Sequence, residues 1–274
     1  MRYAICNETF GDWDLDRALQ LAASAGYTGW EVAPFMLAEH VDDFSSSLRE
    51  SYRQKVESAG LQVVGLHWLL AKTQGFHLTT RDGSTRERTA EHIRKLICLC
   101  RDLGGDVMVL GSPQQRNRTE GQSMEEAMQN AALVLGSVVD ALHEHEVKIA
   151  LEPLGPEEGD FLNTAESARE LQSRIGDDHI GLHLDVKAMS TEAESIEKII
   201  VDNADVMMHF HANDPNRKGP GMGDVAFAPI LATLQRVGYD GWISVEVFDY
   251  SPGVECLVEE SIGNLKRALA EATT

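Results

Sequence analysis

Four side chains that can bind a metal ion stand where short apolar runs end in the second half of the chain. Glu152 follows VKIAL, Asp185 closes HIGLHLD, His211 lies in VMMHFHAND, and Glu246 follows WISV. The carboxyl ends of parallel strands in a barrel meet at one rim. Three carboxylates and one imidazole, without a thiolate, suit a hard or borderline divalent ion. The pattern therefore predicts one metal site, with Mn²⁺ or Mg²⁺ favoured and Co²⁺ or Zn²⁺ as further options.

Two more histidines share a strand face with these ligands. Side chains alternate along a strand, so His209 points to the same side as His211, and His183 to the same side as Asp185. Both would lie one layer deeper, where they could hydrogen-bond the ligating carboxylates and fix their orientation. His183 is also a candidate substrate contact.

Eight strand–helix units are predicted to position these side chains. The strands are Arg2–Cys6, Gly29–Ala33, Leu61–His67, Asp106–Leu110, Val147–Leu151, Ile180–Leu184, Val206–Phe210 and Trp242–Val245, and the helices are Trp13–Ala25, Phe44–Ala59, Arg86–Leu103, Met124–His145, Ala165–Ile175, Ser195–Val201, Phe227–Val237 and Glu255–Glu271. Alternating strands and helices indicate a parallel α/β sheet, and eight units close most simply into a (β/α)8 TIM barrel. We expect one such domain over residues 1–274, with the active site at the C-terminal ends of the strands. A doubly wound open sheet is the alternative, but the first βα turn lacks its GxGxxG motif.

The composition and charge of the chain limit the kinds of molecule that it can bind. The 274 residues carry 44 Asp and Glu against 24 Lys and Arg, a net charge of −20. Nucleic-acid binding relies on Lys and Arg that neutralise phosphates, so we expect no nucleic-acid partner. The N-terminus has no basic-then-apolar signal, and no run reaches the roughly 18 apolar residues of a membrane span. These features favour a cytoplasmic protein without a membrane partner, and they leave a homo-oligomer open.

The motifs around the predicted ligands resemble those of the xylose isomerase-like barrel superfamily. The similar segments are LEP at Glu152, LD at Asp185, HFHANDPNRKGPGMGD from His209, and GYDGWISVEVF around Glu246. That group includes sugar isomerases, ketose 3-epimerases of the tagatose/psicose type, inosose dehydratases and endonuclease IV. The motifs are most similar to those of the ketose 3-epimerases. The resemblance covers nearly the whole chain.

The resemblance implies roles for individual residues. Glu152, Asp185, His211 and Glu246 would be the metal ligands of a ketose epimerase, and Glu158 and Arg217 would contact a carbohydrate substrate. Strand-end position, rather than the resemblance, adds two candidate substrate contacts: His67, which ends the third strand, and Trp68 beside it, which could stack on a sugar face or simply pack. Glu31 could contact substrate or pair with a neighbouring cation.

One motif departs from the epimerase pattern. The epimerases carry LDxxHM, whereas this chain reads LDVKAM, with Ala188 in the histidine position and Lys187 beside it. The departure leaves the sugar and the reaction type open.

The predicted activity is that of a divalent-metal-dependent sugar isomerase or epimerase. Glu152 and Glu246 would act as acid and base. One would remove the proton beside a carbonyl to give a metal-held enediolate, and the other would deliver a proton to the opposite face. A keto-sugar or keto-inositol dehydratase or lyase on the same site is the alternative. A non-catalytic sugar-binding barrel remains a further option, although both glutamates are present. An endonuclease IV-like phosphodiesterase is less favoured, because it needs more rim histidines and a basic groove.

Overall fold

Eight parallel strands, paired in sequence order, close into a barrel. The computed structural model describes residues 1–272. The strands are β1 (Arg2–Cys6), β2 (Gly29–Val32), β3 (Gln62–Leu66), β4 (Val107–Leu110), β5 (Lys148–Leu151), β6 (Ile180–Asp185), β7 (Met207–Ala212) and β8 (Trp242–Val245). The pairing of β1 with β8 completes the circle. The predicted TIM barrel is therefore confirmed, and the open sheet is excluded.

Helices surround the barrel and bury their apolar faces against it. They are α1 (Leu15–Ala25), α2 (Ser46–Ser58), α3 (Gly83–Leu103), α4 (Met124–Gly136), α5 (Val139–His145), α6 (Ala165–Ile175), α7 (Val186–Met189), α8 (Ile196–Asp202), α9 (Phe227–Arg236) and α10 (Val254–Ala272). Local sequence fixes many of their ends. In α1, for example, the Asp14 side chain accepts the amides of Asp16 and Arg17, and Gly26 ends the helix with a φ of 101°.

The predicted single helix Met124–His145 is wrong, because the chain breaks after Gly136. The Ser137 hydroxyl donates to the Val134 carbonyl at 2.7 Å, and Arg94 donates to the Ser137 carbonyl at 2.6 Å. These contacts satisfy polar groups outside the helical ladder, so a second helix starts at Val139. The apolar periodicity continues across the break, which is why the sequence pattern alone suggests one helix.

The inside of the barrel changes character along the strands. An apolar cluster of Ala4, Val64, Val107, Ala150 and Trp242 fills part of it. Alternation places later residues of the same strands on the same face, and these are polar: Ala150 is followed two residues later by a glutamate, and Trp242 by a serine and then a glutamate. The polar end is therefore the C-terminal end, where barrels of this fold carry their sites.

Two glycines allow the strands to approach closely. A Cβ on Gly65 would lie 1.8 Å from the Val107 carbonyl oxygen, and one on Gly29 would lie 2.7 Å from both Ala4 and the Trp242 ring. Both positions therefore require glycine, because no side chain fits there. Within residues 1–272, no helix combines the length and apolar character needed to cross a bilayer.

Candidate active site

The four predicted ligands lie at the C-terminal ends of consecutive strands. Glu152 directly follows β5, Asp185 is the last residue of β6, His211 is near the end of β7, and Glu246 directly follows β8. Asp185 and His211 are register partners across the β6–β7 pair. All four are buried. Strand geometry thus turns residues far apart in the sequence toward the interior of one barrel.

Their donor atoms fall into two adjoining groups. Donor atoms of Glu152, His183, Asp185 and His211 all lie within 4.8 Å of one another. Glu246 is outside that group, but its Oε2 lies 3.0 Å from His211 Nδ1. Three of the predicted ligands therefore converge with His183, and Glu246 adjoins them through His211.

Glu31 fixes the orientation of His211. The Glu31 carboxylate is fully buried and lies 3.1 Å from His211 Nε2 and 2.9 Å from His209 Nε2. With Nε2 donating to Glu31, His211 presents Nδ1 to the centre of the site. Of the two roles considered for Glu31, these contacts favour pairing, with two imidazoles that are cations only when protonated. The prediction that His209 hydrogen-bonds a ligating carboxylate is wrong, because its carboxylate partner is Glu31.

Asp185 is held by the segment that follows it. Its Oδ1 accepts the Ala188 amide at 2.7 Å, which caps α7, and its Oδ2 accepts Asn213 Nδ2 at 2.6 Å. The Asn213 side-chain oxygen Oδ1 in turn accepts the Lys187 backbone amide at 2.9 Å. Sequence reasoning missed Asn213. The only signal was its place two residues after His211, on the same strand face.

Glu152 is placed by two residues of the loop after β4. A Cβ on Gly111 would lie 2.0 Å from Glu152 Oε2, so the carboxylate occupies the space left by the missing side chain. Arg116 is buried and donates through Nη1 to the carbonyl oxygens of Glu152 (2.6 Å) and Leu110 (3.0 Å). Burial lowers the pKa of Arg116 to about 10, against the opposing charge of Glu152. Neither role was predicted from the sequence.

The buried carboxylates affect one another electrostatically. Burial, followed by the charges of Glu246 and Asp185, raises the pKa of Glu152 to about 8. Burial also raises the pKa of Asp185. Burial alone would raise the pKa of Glu246, but His211 and His67 outweigh it and hold that pKa well below its usual value. Glu152 and Asp185 therefore resist ionisation, and a divalent cation would stabilise their charged forms.

His183 has an unusual environment for a buried imidazole. Neither ring nitrogen has a hydrogen-bond partner in the part of the chain that the structure describes. Its Nε2 lies 3.7 Å from Glu152 Oε1, and its ring packs edge-on against His211 at 4.1 Å. Burial, followed by the charges of His211 and His209, holds its pKa well below the usual range. A neutral imidazole whose nitrogens have no partner is also able to bind a cation held by this group.

A cavity of about 310 Å³ opens above the carboxylates. Its lining comprises Trp68, Ala71, Lys72, Ser112, Pro113, Gln114, Gln115, Glu152, Leu154, Glu158, Arg217, Glu246 and Phe248. Trp68 donates its indole N–H to Glu246 Oε1 at 2.6 Å and stacks on Phe248, with ring centroids 6.2 Å apart. His67 and His183 are fully buried and outside this lining, so their substrate contact stays a prediction that burial does not favour.

The departure from the LDxxHM pattern has a structural counterpart at the cavity. Ala188 is buried, whereas the Lys187 ammonium lies 2.8 and 2.9 Å from the two Glu158 oxygens and 5.1 Å from the centroid of the Phe248 ring. Arg217 is exposed at the cavity rim with a φ of 71°. An ammonium–carboxylate pair therefore borders the cavity near the position where the epimerase pattern has an imidazole.

Comparison with known proteins gives the same architecture. The model of the xylose isomerase-like TIM barrel family matches residues 19–268. The chain belongs to this family. Its relatives include ketose 3-epimerases and D-psicose 3-epimerases, which are isomerase-class enzymes.

The individual proteins that resemble this chain are distant from it in sequence, and the solved structures among them are close to it in fold. A probable ketose 3-epimerase from Synechocystis sp. is 25% identical over 235 residues, covering 82% of this chain and 75% of the relative. The structure of D-psicose 3-epimerase with D-tagatose from Clostridium cellulolyticum H10 superposes with a TM-score of 0.86 at 17% identity, covering 98% and 99% of the two chains. The structure of a 3-keto-D-glucoside 4-epimerase from E. coli superposes with a TM-score of 0.85 at 18% identity, covering 97% of this chain and 99% of that chain. At these identities the two structures establish the fold alone.

Proposed function

We propose that this chain is a divalent-metal-dependent epimerase or isomerase of ketoses. The observation that carries the proposal is the convergence of Glu152, Asp185 and His211 donor atoms, with Glu246 adjoining, beneath a cavity at the C-terminal end of the barrel. The relatives, which are ketose and D-psicose 3-epimerases, support the same substrate class.

Glu152, Asp185, His211 and Glu246 would hold the ion, and the oxygen-rich donor set favours Mn²⁺ or Mg²⁺. When bound, such an ion polarises a substrate carbonyl and acidifies the C–H beside it. His211 is oriented for this role by Glu31, which binds its Nε2 and leaves Nδ1 toward the ligands.

Glu152 and Glu246 would perform the proton transfers. They follow strands β5 and β8, and both line the cavity. One carboxylate takes the proton from the carbon beside the carbonyl, and the other delivers a proton to the opposite face. The roles exchange when the reaction runs in reverse. Trp68, which donates to Glu246 Oε1, would hold that carboxylate at the cavity.

Substrate hydroxyl groups would meet polar groups on the cavity wall. The Lys187–Glu158 pair offers a donor and an acceptor together, and Arg217 offers further donors at the rim. Trp68 and Phe248 provide an aromatic surface for the apolar face of a sugar ring. These contacts would fix the orientation of the reacting carbon, on which the rate of proton transfer depends.

A keto-sugar or keto-inositol dehydratase or lyase is the second candidate. The Lys187 ammonium favours it, because it pairs with Glu158 of the cavity lining, and a cation this close to the cavity can assist a leaving hydroxyl or alkoxide. The first step, removal of the proton beside a carbonyl, is common to both reactions. Product analysis separates them, because only the lyase changes the molecular mass of the organic product.

The experiment is proton exchange in D₂O. The Mn²⁺-loaded protein is incubated with a panel containing D-fructose, D-psicose, D-tagatose, L-ribulose and a keto-inositol, and deuterium beside the carbonyl is followed by NMR. We expect incorporation together with a 3-epimer or isomer from at least one ketose. An Asp185→Asn variant, which loses one ligand but no side-chain volume, should show neither. Absence of deuterium across the panel from a protein that binds Mn²⁺ would refute the proposal.

A further inference from the structure

Glu8, His67 and Glu246 form a second buried group of donor atoms beside the first. Glu8 lies in the single 3₁₀ turn after β1, His67 directly follows β3, and Glu246 directly follows β8. One donor atom from each lies within 4.8 Å of the other two. The exposed fractions of the three residues are 8%, 0% and 2%. Two carboxylates and an imidazole that are buried this close together need partners that compensate their charge.

Glu8 does not obtain that compensation from hydrogen bonds. Both of its carboxylate oxygens are buried without a hydrogen-bond donor in the described residues. His67 Nε2 lies 2.9 Å from Glu8 Oε2 and pairs with it when the imidazole is protonated, but the two atoms do not form a hydrogen bond, and Glu8 Oε1 has no hydrogen-bond partner in the described residues. Glu31 and Asp185 are equally buried, but the first is contacted by three donors and the second by two. Glu8 differs in this respect from Glu31 and Asp185, and a buried carboxylate without hydrogen bonds is costly.

A divalent cation between these groups would account for the geometry. In an octahedral site with bonds of 2.0–2.1 Å, adjacent ligand atoms are about 3 Å apart. The separation of 2.9 Å between His67 Nε2 and Glu8 Oε2 is compatible with such an edge. Two carboxylates and one imidazole are ligands that Mn²⁺ and related ions accept. Trp68, whose indole N–H binds Glu246 Oε1, would orient the third ligand.

We propose that Glu8, His67 and Glu246 form a second divalent-cation site, which shares Glu246 with the site proposed above. The two oxygens of Glu246 face different partners: Oε2 lies 3.0 Å from His211 Nδ1, and Oε1 lies 3.3 Å from His67 Nδ1. The carboxylate can therefore bridge two ions. The inference goes beyond the proposed function and rests on it only in the shared ligand Glu246.

The second ion would join a part of the barrel that the first does not reach. The ligands of the first site follow or end β5 to β8, whereas Glu8 and His67 follow β1 and β3. A cation held by Glu8, His67 and Glu246 would link the segments on both sides of the β8–β1 pair that closes the barrel. We therefore expect its binding to raise the thermal stability of the protein, since a ligand that binds only the folded state stabilises it.

The test is the number of Mn²⁺ ions bound per chain. Mn²⁺ is titrated into metal-free protein by calorimetry, and bound metal is counted by mass spectrometry after gel filtration. We expect two ions in the wild type, one in Glu8→Ala, and a coupled Mn²⁺ pair in the electron paramagnetic resonance spectrum of the wild type alone. Glu8→Gln keeps the side-chain volume in case the alanine variant does not fold, and it should weaken the second ion at least tenfold. Glu158→Gln, a carboxylate change in the cavity outside both groups, should keep two ions.

The outcomes separate the two proposals. A wild type that binds one ion, which Asp185→Asn loses and Glu8→Gln retains, would overturn the second site and leave the proposed function standing. Two ions retained by both Glu8 variants would overturn the assignment of Glu8 as a ligand. A folded wild type that binds no Mn²⁺ would overturn both proposals.

Discussion

Gly111 offers a direct test of how tightly the fold constrains Glu152. A Cβ built at Gly111 lies 2.0 Å from Glu152 Oε2 and 3.2 Å from its Cδ, and ordinary contacts begin at 3.4 Å. In a Gly111→Ala variant the carboxylate would therefore move by roughly 1.4 Å, or the loop would shift by a similar amount. Retreat of the Glu152 backbone is opposed, because Arg116 binds its carbonyl oxygen at 2.6 Å. The carboxylate would leave its place in the ligand group.

The magnitude follows from the role of Glu152. Disturbing the support of a metal ligand typically costs 10–100-fold in metal affinity, which is about 1.4–2.7 kcal/mol. A misplacement of about 1 Å at a reacting group costs roughly 100-fold in rate. We expect the Mn²⁺ affinity of Gly111→Ala to fall by 10–100-fold and the proton-exchange rate to fall by about 100-fold or more. Calorimetry measures the first effect, and NMR in D₂O measures the second.

Gly136→Ala is the matched control for this substitution. No heavy atom lies within 4 Å of a Cβ at Gly136, and the residue ends helix α4 with an ordinary backbone conformation. The control should bind Mn²⁺ like the wild type and unfold at the same temperature or slightly higher, because alanine favours the helix. Equal Mn²⁺ affinity in Gly111→Ala, Gly136→Ala and the wild type would refute the idea that Glu152 is a ligand held against Gly111.

Three further predictions concern substrate binding, pH and stability. Lys187→Met frees Glu158 from its ion pair, so KM in the exchange assay should rise about tenfold while Mn²⁺ affinity stays unchanged. The control Lys198→Met, which removes an exposed ion pair, should change neither quantity. An unaltered KM in Lys187→Met would count against a role of Lys187 in substrate binding. Because the pKa of Glu152 is raised to about 8 and Mn²⁺ needs the carboxylate form, affinity should increase by about tenfold per pH unit from pH 6 to 8 and then level off. Calorimetry in buffers of different ionisation heat should show proton release at pH 7, and its absence would contradict the assignment. Gly65→Ala puts a Cβ 1.8 Å from a backbone carbonyl oxygen of the next strand. We expect the free energy of unfolding to fall by about 3 kcal/mol and the Tm in scanning calorimetry to fall by roughly 10 °C. An unchanged Tm would mean that the strands can separate at no cost.

The sequence by itself determined the barrel and the position of the predicted ligands. Both depend on short-range patterns: apolar runs alternate with helical periodicity, and Glu152, Asp185, His211 and Glu246 each stand near a strand end. Parallel strands place their carboxyl ends on one rim, so position along each strand was enough to bring these residues into one part of the molecule. Strand alternation also placed His183 on the inner face beside them, as the structure shows.

Tertiary structure alone decided which side chain meets which. Glu31 binds His209 and His211 from the far side of the barrel, and Arg116 turns back from its loop to the Glu152 carbonyl. Such contacts depend on the tilt and stagger of the strands and on loop conformation, which local periodicity does not encode. The Glu8 carboxylate is the clearest case. Its residue type is unremarkable in the sequence, and only closure of the barrel between β8 and β1 leaves it buried without a donor.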